Sequence, residues 1–168
     1  MKKIGIFYSF KTNKTAKMGE KVIEAFGKEN IEAFNAEDVN EDDFSKYDNI
    51  IIGVPTWFDG ELPNHWDEFV PALEDMDLSG KKVAIFGLGD QKGYPENFND
   101  GVGIFANLFE RVGAKLVGFT SREGYTYEHS AAERGDQFCG LCLDQENQAR
   151  LTNQRITDWV EQLKNEFN

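Results

Sequence analysis

Two cysteines and two histidines are all that the 168 residues hold of these chemically versatile types. The cysteines, Cys139 and Cys142, have C-x-x-C spacing, but a redox dithiol normally opens a helix after a strand. Here Phe138-Cys139-Gly140-Leu141-Cys142-Leu143 reads as one buried strand, and three positions along a strand put the two side chains on opposite faces. His129 is the only nearby candidate to join them around a metal, so both read as small buried hydrophobes and no metal site is expected. His65 has no nucleophile to pair with and reads as a surface or capping histidine.

Long apolar runs are also missing. None approaches the roughly 20 residues that a membrane span needs. Met1-Lys2-Lys3-Ile4-Gly5-Ile6-Phe7-Tyr8 is too short for a signal segment and leads to no small-residue cleavage site, so a cytoplasmic protein is expected. There is no G-x-G-x-x-G fingerprint and no Walker loop, which argues against dinucleotides and nucleoside triphosphates. Positive charge is scarce, with 18 Lys and Arg against 30 Asp and Glu, a net charge of −12 and a pI of about 4.6. Nucleic acid and anionic membranes would be repelled, whereas a basic protein would be attracted with an on-rate that falls as salt rises.

What the chain does have is alternation. Apolar strand-like runs at 3–8, 31–34, 49–54 and 82–87 are separated by amphipathic stretches at 13–26, 63–73 and 101–112. That is the pattern of βαβ units and a parallel sheet within a single domain, 1–168. Ile50-Ile51-Ile52-Gly53-Val54 is apolar throughout, as a strand covered on both faces should be. Trp66 at helical spacing reads as core. The alternation breaks after a run at 115–119, because 120–137 has no helical stripe, and a second strand-like run covers 137–143. A last helix spans 152–167, with Thr152 as its expected N-cap.

Three loops at strand ends carry the chemistry. Ligands of open α/β sheets bind beyond the carboxyl ends of the strands, where the strand order reverses. Pro55-Thr56-Trp57-Phe58-Asp59-Gly60 follows the third strand, and Leu88-Gly89-Asp90-Gln91-Lys92-Gly93-Tyr94 follows the fourth. Trp57 and Tyr94 can sandwich a flat heterocycle between two π-faces. Ser9-Phe10-Lys11-Thr12-Asn13-Lys14-Thr15 links the first strand to its helix. Unpaired N–H groups at a helix start attract anions, and the hydroxyls and lysines add donors and charge, although Ser and Thr there also serve simply as caps.

With these loops in order, the chain resembles the flavodoxins over essentially its whole length. The resemblance rests on Phe7-Tyr8 leading to Thr12 and Thr15, on Pro55-Thr56-Trp57, on Gly89-Asp90-Gln91, and on Gly93-Tyr94 followed by Asn97, Phe98 and Asp100. Phe138-Cys139-Gly140-Leu141, Leu143-Asp144, Asn147-Gln148 and the helix through Trp159 to Leu163 extend it to the C-terminus. It implies a doubly wound five-stranded parallel sheet in the order 2-1-3-4-5, with FMN at the switch point, an arrangement this family itself exemplifies. An insertion splitting strand five marks the long-chain subclass.

The resemblance also implies which residues bind the cofactor. Ser9, Phe10, Lys11, Thr12, Asn13, Lys14 and Thr15 would hold the phosphate. Pro55, Thr56, Trp57, Phe58, Asp59, Gly60, Leu88, Gly89, Asp90, Tyr94, Asn97 and Asn99 would hold the ring. The chain departs from the family at Phe10, which removes a hydroxyl, and at Asn13, where a glycine is usual. No residue is expected to act as acid, base or nucleophile. The implied function is low-potential one-electron transfer between the semiquinone and hydroquinone of FMN, in a monomer. Its partners would be proteins with basic docking faces, such as a flavodoxin or ferredoxin reductase or a low-potential oxidoreductase.

Asp59, Glu61, Asp67 and Glu96 would form an acidic rim around the exposed ring edge. Three other readings are weighed against this one. A quinone or azo reductase of related fold needs room for a second substrate, which two enclosing aromatics deny. A receiver domain needs acids where Tyr8-Ser9 and Val54-Pro55 stand. A non-redox binding module is the remaining alternative, and an absorption spectrum separates it.

Overall fold

The isoleucine-rich runs form the centre of a parallel sheet. The computed structural model describes residues 1–55 and 64–168, apart from the side chains at 64, 65 and 67. In chain order the elements are β1 (Ile4–Tyr8), α1 (Lys14–Phe26), β2 (Ile31–Asn35), α2 (Glu41–Ser45), β3 (Asn49–Pro55), α3 (Asn64–Glu74), β4 (Lys82–Leu88), α4 (Asp100–Arg111) and β5 (Lys115–Leu116). Then follow β6 (Thr120–Ser121), β7 (Glu133–Arg134), β8 (Gln137–Phe138), β9 (Leu141–Leu143) and α5 (Thr152–Glu166). The main sheet has the order β2-β1-β3-β4-β5, with β9 also pairing with β4 and every pairing parallel.

Strand periodicity divides the core into two layers. Ile50, Ile52 and Val54 pack on one side with Phe44, Trp66, Leu73, Phe105 and Phe109. Ile51, Ala84 and Phe86 face the other, against Met18 and Val22 of α1 and Ile156, Trp159 and Val160 of α5. Alternate residues of one strand thus serve opposite layers. Trp66 meets Phe105 edge-on at 5.0 Å, so it is core as its spacing indicated. Trp159 is also core, and its indole N–H donates to the Gly118 carbonyl at 2.9 Å.

The fifth sheet position is filled twice. β5 runs beside Lys82 and Val83 at the start of β4, and β9 runs beside Phe86, Gly87 and Leu88 at its end. The residues between them hold the antiparallel trio β6-β8-β7. The continuous strand expected over 137–143 is therefore two strands in different sheets. The break falls at Gly140, where a Cβ would stand 2.2 Å from the Ile85 carbonyl oxygen, so a side chain would block the crossing. Turning there also places Cys139 and Cys142 in the same core layer rather than on opposite faces. Both thiols are buried and unbridged. Burial pushes Cys139 up to about 11 and Cys142 well above its usual range.

Two local expectations change. The acidic connection after β2 contains α2, started by Asn40, whose side chain accepts from the Asp43 N–H while Asp43 accepts from the Asn40 N–H. Such a reciprocal cap fixes a helix start that apolar periodicity does not reveal. Thr152 is inside α5 and not its cap; its hydroxyl donates to Gln145 Oε1 at 2.7 Å. Among the described residues no helix is long and apolar enough to cross a membrane.

Candidate functional site

β1, β3 and β4 all end at the same edge of the sheet, and the chain reverses its strand order between β1 and β3. A cleft of about 450 Å³ opens there, within the range of small-molecule sites. Its walls are Thr12, Asn13, Lys14 and Thr15 at the start of α1, Pro55 after β3, and Leu88, Gly89, Asp90, Tyr94 and Asn97 after β4. Ten of the residues expected at the site therefore meet in one cavity. Among the described residues, Gln145 and Glu146 complete it. They follow β9, a fourth strand ending at this crevice, and a strand of three residues left too little pattern to place them.

Other expected residues stand off the cavity wall. Ser9 is buried beneath the loop and donates to Glu37 at 3.0 Å. Phe10 is exposed and leans on the Tyr8 ring at 5.1 Å. Lys11 reaches outward to Glu37 at 3.1 Å. Thr56, Trp57, Phe58, Asp59, Gly60 and Glu61, with the side chain of Asp67, lie outside the described residues.

The start of α1 is suited to an anion. Asn13, at the capping position, makes no side-chain cap, and no acidic residue occupies the first turn. The first N–H groups of the helix and its positive dipole end thus face the cleft without a carboxylate in their own turn. Thr12 is held in place by its hydroxyl, which donates to the Ser9 carbonyl at 2.8 Å.

The wall after β4 is built as a brace. Asp144 is fully buried and accepts from the Gln91 N–H and side-chain amide at 3.0 and 2.7 Å and from the Asn147 N–H at 2.9 Å. The Asn147 amide also reaches Asp144 and, at 2.7 Å, Asp90. Asp90 in turn accepts from the N–H groups of Lys92 and Gly93 at 3.1 and 2.8 Å. These donors, Gly93 foremost, hold its carboxyl below the usual aspartate range. The Tyr94 N–H bonds the Asp90 carbonyl at 2.9 Å, leaving the Tyr94 ring exposed at the cleft.

Asn99, also expected at the site, is buried behind this wall rather than on the cavity, and it is the strained point of the turn. It has a left-handed backbone, φ 52°, which asparagine tolerates better than most residues. Its side chain is fully buried, and its amide donates to the Leu143 carbonyl at 3.2 Å. Its Oδ1 has no partner among the described residues. A Cβ on Gly87 would stand 2.7 Å from that oxygen, and one on Gly89 would stand 2.8 Å from the amide nitrogen. Only glycine at 89 lets the wall close this tightly. An orphaned acceptor and a strained backbone beside a cleft are features that accumulate where a ligand completes the structure.

The flavodoxin family model matches residues 6–159. The chain belongs to the flavodoxin family. A flavodoxin of Nostoc sp. is 43% identical over 166 residues, covering 99% of this chain and 98% of that one. A flavodoxin of Trichodesmium erythraeum is 44% identical over 171 residues, covering 99% of both. Among solved structures, the Fusobacterium nucleatum flavodoxin bound to flavin mononucleotide superposes with a TM-score of 0.95 at 36% identity, covering 100% of both chains. The flavodoxin sheet order and the split fifth strand are thus both present in this chain.

Proposed function

We propose that this chain is a one-electron carrier that works through bound FMN and passes electrons between partner proteins without itself catalysing a reaction. The observation that carries the reading is the cleft, which offers neutral anion donors at one end and a braced aromatic wall at the other. Thr12, Thr15 and the first N–H groups of α1 would hold the phosphate. Leu88, Gly89, Asp90, Tyr94 and Asn97 would hold the ring, with Trp57 proposed against its other face. The flavin supplies the chemistry, a one-electron exchange between the two lower of its oxidation states.

The protein's part is to set the energy of that exchange. Electron-rich aromatic faces and a net charge of −12 disfavour adding negative charge to a ring held between them, so the last electron is held loosely. Asp59, Glu61, Asp67 and Glu96 form the proposed acidic rim that would steer a basic partner toward the ring edge; of these, Glu96 is exposed among the described side chains.

A redox titration of the FMN-loaded protein, followed by visible spectroscopy, tests this reading. Two separated one-electron steps, the second at low potential, are expected. Thr15→Ala should weaken FMN roughly tenfold or more while leaving riboflavin unchanged, since a hydrogen bond to a charged group is worth about 1.5–3 kcal/mol. A protein that takes up no flavin, or one that reduces in a single two-electron wave, overturns the proposal.

A further inference from the structure

The phosphate end of the cleft contains a charge that the anion-binding reading does not need. Lys14 and Glu146 both line the cavity, and the Lys14 ammonium is paired with Glu146 Oε1. Glu146 sits beside Asn147, whose backbone N–H and amide are fixed to Asp144, so the carboxylate is delivered from an anchored turn. On the other flank Lys11 is paired with Glu37. Each lysine of the 9–15 loop thus already has a carboxylate partner. What remains to attract an anion is the helix end and the hydroxyls.

Resting on the FMN reading, we propose that Glu146 is a built-in counter-ion that holds Lys14 and lowers the affinity of the cleft for phosphate-type anions, far enough to keep unattached ones out. A dianion seated at the start of α1 meets the Glu146 charge at the same mouth and finds Lys14 already neutralised, so charge gives it little. A phosphate tethered to a ring is different. Once the ring occupies the wall after β4, the phosphate is presented at high effective concentration and ring burial offsets the repulsion. Inorganic phosphate has no such anchor. Ring burial therefore selects the tethered phosphate, Glu146 sets the threshold that free phosphate fails to reach, and the site remains open for the complete cofactor in phosphate-rich solution.

Calorimetric titration of the flavin-free full chain with FMN, riboflavin and inorganic phosphate, in wild type, Glu146→Gln and Glu146→Asp, decides the matter. Glu146→Gln should tighten FMN roughly fivefold to tenfold, the combined size of an exposed pair lost and a like-charge contact removed. It should raise the affinity for inorganic phosphate by a similar factor and make FMN binding fall more steeply with salt. Riboflavin should not respond, and Glu146→Asp, which keeps the charge, should stay near wild type. Unchanged FMN and phosphate affinities, or an equal gain for riboflavin, overturn the proposal. If the wild type binds neither flavin, the FMN reading fails instead. The inorganic phosphate arm then still judges Glu146, a gain in Glu146→Gln upholding the counter-ion role and no gain refuting it.

Discussion

The two ends of the cleft are built on opposite principles. The wall after β4 is secured by hydrogen bonds that cross long stretches of sequence, buried from Gln91 to Asp144 and part-buried from Asn147 to Asp90. The insertion adds more. The Thr126 N–H donates to Gln91 Oε1 at 2.6 Å, the Glu128 and His129 N–H groups both reach the Pro95 carbonyl, and Tyr127 stacks on Phe98 at 5.2 Å. The 9–15 loop has instead a 3.3 Å bond from the Phe10 N–H to Asn35, a 2.8 Å bond inside its own turn, and ion pairs with exposed lysines. Buried, fully satisfied networks rigidify what they join, while exposed pairs contribute little and yield easily. One wall is held rigid by its brace, and the other has room to adjust.

The sharpest way to break that contrast is at Asp144. Its carboxylate accepts from both Gln91 and Asn147 in a fully buried position. Asp144→Ala strands those donors, and each unsatisfied buried group costs about 1–3 kcal/mol, so a loss of roughly 3 kcal/mol or more is expected. Urea denaturation with an unchanged m-value checks it. A loss within the scatter of surface substitutions would mean that the brace does not hold the wall.

Acid separates the two ends next. Asp90 has its carboxyl held below its usual value near 3.8, chiefly by the Gly93 N–H. A depressed native value means that the aspartate contributes stability above the unfolded pKa and loses it as pH falls through the native one. The stability difference between wild type and Asp90→Asn should therefore be constant from neutral pH down to the ordinary aspartate range and close below it. A difference that shrinks already around pH 6 would point to another group.

How far the sequence foretold these walls follows from the reach of each signal. β1, β3 and β4 were legible within about a residue because apolar β-branched runs such as Ile50-Ile51-Ile52 leave a local pattern. The 9–15 and 88–99 loops were legible because they follow those runs. The brace was not, since Asp144 meets Gln91 53 positions away and no local period records that pairing. The insertion itself was legible, but the strands inside it escaped for a similar reason. Its strands β6, β7 and β8 have two residues each, too short for alternation, and Gly140 redirects the chain where a continuous strand was expected. Asp144 and Asn147 entered only through the family resemblance, and the cavity's Gln145 and Glu146 between them did not enter at all.

The smallest expected effect is at Lys11, and it sharpens the comparison from the other side. Its ammonium lies 3.1 Å from Glu37, and with a side chain 79% exposed the pair is bathed in solvent. Hydrogen bonding to Glu37 raises its pKa, but the group is charged at neutral pH with or without that partner. Exposed pairs lose to solvent screening and side-chain entropy most of what Coulomb attraction provides. Lys11→Gln should therefore leave the denaturation midpoint within the scatter of replicate curves, at low and high salt alike. Ser9, which is buried and also bonds Glu37, keeps that carboxylate in place without the lysine. A clear destabilisation that vanishes in high salt would show that the 9–15 loop is held by charge after all. The two ends of the cleft would then differ in chemistry but not in rigidity.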